Sequence, residues 1–208
     1  KKDMKYLKLF ENFEDIHKIC REYGIKNYTI NTDGSIDVDG NVNLSEMGLT
    51  KLPLKFNHVS GYFDCHHNKL TTLEGSPKSV GGYFNCSYNK LTKLDGSPER
   101  VDCDFYCSGN NLTTLEGSPK SVGGFFNCNN NEISTFEGAP NNVGIGFYCY
   151  DNPIENIWGL FEDYSKVELL NDLDPIRGKD LLMDRFNTFL SMIGKDEVEN
   201  VEGYNCIN

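Results

Sequence analysis

Residues 61–81 read GYFDCHHNKLTTLEGSPKSVG, and related strings restart at Gly82, Cys103, Gly124 and Ile145, each 21 residues after the last. A short unit repeated at a fixed period cannot bury its own apolar side, so successive units stack. What the repeat holds constant is scaffold. What it lets vary is the candidate working surface.

Counting so that Asn68 is position 9, six apolar or polar rows run through the chain. Position 4 holds Val42, Phe63, Phe84, Phe105, Phe126 and Phe147, and position 6 holds Leu44, Cys65, Cys86, Cys107, Cys128 and Cys149. Two apart is strand spacing, so these rows point to one side and positions 3 and 5 to the other. Position 9 holds Met47 and then Asn68, Asn89, Asn110, Asn131 and Asn152. A side-chain amide at that bend can donate and accept, satisfying backbone groups of neighbouring units. Leu or Ile follows at position 11, and Leu, Phe or Ile at position 14. Val59, Val80, Val101, Val122 and Val143 close the units. The Glu-Gly-Ser-Pro segment at Glu74–Pro77 is turn chemistry, so the return path is predicted to be short and extended, not helical.

This pattern resembles the leucine-rich repeat, L-x-x-L-x-L-x-x-N-x-L-x-x-L. Phe84, Cys86, Asn89, Leu91 and Leu94 occupy its last five fixed places, and the likeness spans residues 39–160. It departs at the first Leu, where Ser60, Gly81 and Gly123 stand and a Val one residue earlier takes over. The short unit is similar to the helix-free bacterial and bacteriophage variety, including repeats of secreted effectors with ubiquitin-ligase activity. The opening Met4–Glu11 and the C-terminal segment resemble repeat proteins of phages and marine bacteria. The resemblance implies an α+β repeat solenoid: a leucine-rich-repeat parallel sheet with a helix-plus-hairpin N-terminal cap and a helical C-terminal cap. Those ligases carry their catalytic Cys in a large helical domain after the repeats. Here Cys206 is the sole cysteine beyond the repeats, so that activity is not carried over.

The expected organisation is residues 1–38 as N-terminal cap, 39–160 as six repeats and 161–208 as C-terminal cap, all one domain of 208 residues. A solenoid exposes apolar surface at both ends and needs covers. Asn12 is placed to cap a helix over 12–24 whose apolar side is Phe13, Ile16, Ile19, Cys20 and Tyr23. Tyr28–Asn31 and Ser35–Val38 read as a hairpin about Asp33-Gly34, expected to pair with the first repeat's strand. Ser165 with Glu168 reads as a capping box opening a helix through Leu173. A second helix is predicted over 179–193, lined by Leu182, Phe186, Phe189, Leu190 and Ile193 and stopped by Gly194. Residues 197–208 give little signal.

The net charge is −11, of which −7 falls on residues 155–208. Phosphate backbones need Lys and Arg, so nucleic acid is not an expected partner. No apolar run is long enough to span a bilayer, and no signal peptide is visible. The position-6 cysteines read as small buried hydrophobes, because in-register parallel strands aim their Cβ atoms side by side and not at each other. A reducing, cytoplasmic location follows as an expectation, with a virion or secreted location as the alternative.

For chemistry, Asp64-Cys65-His66-His67 is the densest cluster. Alternation puts Asp64 and His66 on the outer side and Cys65 inside, and a metal site wants three or four ligands. Cys103 and Cys107 would lie about 13 Å apart on a strand, too far to share a zinc. No nucleophile elbow, phosphate loop or zincin motif is present. The expectation is no enzyme, no metal and no cofactor.

The variable outward positions are where recognition is expected. Tyr62, Tyr83, Asp104 and Phe125 stand at position 3, and Asp64, Asn85, Tyr106, Asn127 and Tyr148 at position 5. His66, Tyr88 and Tyr150 lie at positions 7 and 8. Tyr and Asn give contact area and adaptable hydrogen bonds at low entropy cost. The expected function is a non-catalytic module that binds a protein or peptide through this face. The alternative is a structural or decoration part of a phage particle or surface assembly, used through the acidic C-terminal cap.

Overall fold

The structure, a computed structural model, describes residues 13–207. The Asn12 cap and the Met4–Glu11 segment lie outside the described residues. The chain forms a repeat-like α/β fold of parallel-stranded sheets with few helices. It opens with helix α1 over 13–22, which buries Ile16 and Cys20. The hairpin β1 (Tyr28–Ile30) and β2 (Ile36–Val38) follows, antiparallel as predicted.

From there the chain alternates between two sheets, because each 21-residue unit holds two extended segments separated by turns. The position-4 segments are β3 (Val42–Asn43), β5 (Phe63–Asp64), β7 (Phe84–Asn85), β9 (Phe105–Tyr106), β11 (Phe125–Asn127) and β13 (Gly146–Tyr148). They make a six-stranded parallel sheet in chain order. The valine segments are β4 (Phe56–Val59), β6 (Ser79–Val80), β8 (Arg100–Val101), β10 (Ser121–Val122) and β12 (Asn142–Val143). With β1 and β2 they make a seven-stranded sheet. The return path is therefore extended, as predicted, and regular enough to be a sheet of its own.

Phe63, Phe84, Phe105 and Phe126 are fully buried between the sheets, stacked in parallel at 5.2–5.4 Å between neighbouring centroids. The cysteine, leucine and valine rows fill the rest of one continuous core. Each buried Phe contributes about 1.5–3 kcal/mol.

The asparagine row behaves as its chemistry requires. Asn110 Nδ2 donates to the carbonyl of Cys107 in its own unit at 3.0 Å and to that of Cys86 in the unit before at 3.2 Å. Its Oδ1 accepts from the Leu91 amide at 3.1 Å. Asn89, Asn131 and Asn152 repeat the arrangement. Position 8 just before it is left-handed in every unit: Glu46, His67, Tyr88, Gly109, Asn130 and Asp151 all have φ between 51° and 64°. That turn swings the Asn side chain inward.

At Gly81 the neighbouring units approach closely: a Cβ there would run into the Ser60 carbonyl oxygen of the preceding unit. The apolar contact in this row comes from the neighbouring Val80, which is buried.

Four expectations need correction. The hairpin does not pair with the first repeat strand, β3. It extends the other sheet, with β2 parallel to β4, since the Ile36 amide bonds the Lys55 carbonyl and the Ser60 amide bonds the Val38 carbonyl. Ser165 is not the helix cap. Asp163 accepts from the Ser165 amide and hydroxyl at 3.0 and 2.7 Å, and a 3-10 turn over Tyr164–Lys166 precedes α3 (Val167–Leu173). The second helix, α4, starts at Met183 and ends at Met192. Gly178, at φ +63°, first turns β14 (Ile176–Arg177) back onto β15 (Asp180–Leu182). That leaves Leu181 buried in place of Leu182. Finally, Asn205–Ile207 is a strand, β16, which pairs parallel to β15. The C-terminal cap is thus mixed and not purely helical.

Before it, the short helix α2 (Glu155–Trp158) brings Trp158 against Phe136 and Phe147 at 6.1 and 5.2 Å, and Phe161 joins them. These rings, with Tyr164, cover the last unit.

Candidate functional site

Nine of the twelve residues singled out in the sequence stand at positions 3 and 5 of the six-stranded sheet, on the side opposite the buried positions 4 and 6, and His66, Tyr88 and Tyr150 follow at the bend after the strands. The structure sorts their rings into separate groups. Tyr62 stacks on Tyr83 at 4.8 Å, and Tyr83 meets Tyr106 edge-on at 6.2 Å. Phe125, Tyr148 and Tyr150 form a second stack at 5.3 and 6.0 Å. At the rim His67 lies flat on Tyr88 at 4.5 Å, and the other side of the Tyr88 ring lies over Gly109, where even a Cβ would touch it. Many ring faces are therefore spent on one another. The Tyr83 and Tyr106 hydroxyls turn to the carboxylates of Asp64 and Asp104.

The polar residues of the face are tied down. Asn85 Oδ1 accepts from the Ser87 amide at 3.0 Å, and Asn127 Oδ1 accepts from the Asn129 amide at 3.1 Å. Asn43 does the same for Ser45. Position 5 is thus a local turn device, with the side chain bonding the amide two residues on. At position 3, Asn41 accepts from the Tyr62 amide and Asp104 from the Phe125 amide, both across units. The sequence reading missed this role. Its signal was the recurrence of Asn or Asp at position 5 in four of the six units.

Asp64 departs from the exposed setting expected of it: it is 7% exposed. It accepts from the His66 amide at 3.1 Å, pairs with His66 Nδ1 at 2.6 Å and receives the Tyr83 hydroxyl at 3.5 Å. His66 Nε2 faces Glu46 at 3.8 Å. A carboxylate-histidine pair is therefore present, but no Ser, Thr or Cys side chain bonds the His66 ring among the described residues. Cys65 points into the core, as alternation requires.

Tyr106 donates to Asp104 Oδ2 at 2.9 Å. Burial first, and then that bond to the carboxylate, push its hydroxyl up to about 12. Burial and the Asp64 charge raise Tyr83 as well. Both hydroxyls stay protonated donors at neutral pH.

The cysteines Cys65, Cys86, Cys107, Cys128 and Cys149 are free thiols buried in a column, and burial raises the pKa of each. Several sit against the carbonyl of the next unit, as Cys128 Sγ does with Tyr148 at 3.3 Å. Cys103 and Cys206 are exposed. Among the described residues no group of three or more His, Cys, Asp or Glu is arranged to hold a metal ion, and no helix is long and apolar enough to cross a membrane.

Concave space lies elsewhere. A cleft of about 580 Å³ runs between residues 139–143 and α3, lined by Pro140, Val143, Tyr164, Glu168 and Asp172. Ser165 also lines it, with its hydroxyl donated to Asp163 at 2.7 Å in the turn before α3. No protein-family model, no curated protein and no solved structure matches this chain.

Proposed function

We propose that this chain is a non-catalytic binding module built as a leucine-rich-repeat-type solenoid, which recognises a protein or peptide through the outward side of its six-stranded sheet. The observation that carries the reading is the fixing of that side before any partner arrives. Asn85, Asn127, Asp64 and Asp104 are locked to backbone amides, and the tyrosines are held by stacking. A surface whose rotamers are already chosen loses little entropy on binding. Six strands at about 4.8 Å spacing give a face about 25–30 Å long, enough for a peptide or the edge of a domain.

The buried thiol column suits a reducing compartment, where nothing drives it to oxidise. The test of the reading is capture of partners from the native source by the wild-type chain and by the triple variant Tyr83→Ala, Tyr106→Ala, Tyr148→Ala. Loss of the captured protein supports the strand face. Retention moves the working surface to the acidic C-terminal cap and favours a structural role in an assembly.

A further inference from the structure

We draw no further inference here: the strongest candidate, the apolar patch after β3 in the first unit, where Met47 is exposed and Leu49 only partly buried, carries nothing because nothing in the structure shows what covers it.

Discussion

The side-chain amide of Asn110 donates to the carbonyl oxygen of Cys86 in the preceding unit at 3.2 Å. That bond joins neighbouring units at the bend after each sheet strand, beside backbone bonds such as the Tyr88 amide to the Ser108 carbonyl at 2.8 Å and the Asn111 amide to the Leu91 carbonyl at 2.9 Å.

Replacing Asn110 by Ala leaves the buried Leu91 amide without its partner, while the Cys86 and Cys107 carbonyls keep the side-chain amides of Asn89 and Asn131. A buried polar group left unsatisfied costs about 1–3 kcal/mol. The variant is expected to lose an amount in that range in urea denaturation.

Gly81 tests the close approach of neighbouring units. The Cβ of Gly81→Ala would meet the Ser60 carbonyl, which is backbone and cannot swing aside. Forcing atoms into filled space costs about 1–3 kcal/mol, seen as a lower melting temperature. Gly178→Ala is a useful contrast. Its Cβ would meet nothing within 4 Å, so any loss there comes from its φ of +63° alone.

Thiol chemistry should separate the cysteines into two classes. Cys103 and Cys206 are exposed, and the other six are buried. Titration of the native protein with a thiol reagent is expected to modify these two promptly. The remaining six should react only on addition of denaturant. Prompt reaction of more than two would contradict the buried column.

The same column sets a pH dependence. Burial raises the Cys149 thiol from 9.0 to about 12. In the unfolded chain it ionises near its ordinary value, so between pH 9 and about 12 the folded state holds the extra proton. Stability contributed by keeping this thiol neutral is complete below pH 9 and is lost as pH rises through that window, by up to about 1.4 kcal/mol per pH unit. Cys149→Ala should flatten the decline of stability measured by urea denaturation at pH 8, 9 and 10.

The rows that pack were legible because they repeat. Phe84 and Cys86 announce a strand by their spacing, and Asn89 announces a bend by its chemistry. The tying of Asn85 to the Ser87 amide and of Asp104 to the Phe125 amide was not legible. Asn and Asp on an outward face look alike whether they wait for a ligand or close a turn. The left-handed backbone at His67 and Tyr88 was hidden for a similar reason. Gly109, Asn130 and Asp151, in three units of the row, are residues that favour it.

The sequence by itself determined the period, the buried rows and which side chains face outward. Those follow from local spacing, and each is confirmed by its copies 21 residues away. The tertiary structure alone decided that the hairpin joins the valine sheet, that Asn205–Ile207 closes the C-terminal cap as a strand, and that Asp64 is buried among His66 and Tyr83. These depend on contacts made once, between segments with no second copy to reveal them. A strand's partner is chosen by whichever edge is left open when the rest of the chain has packed.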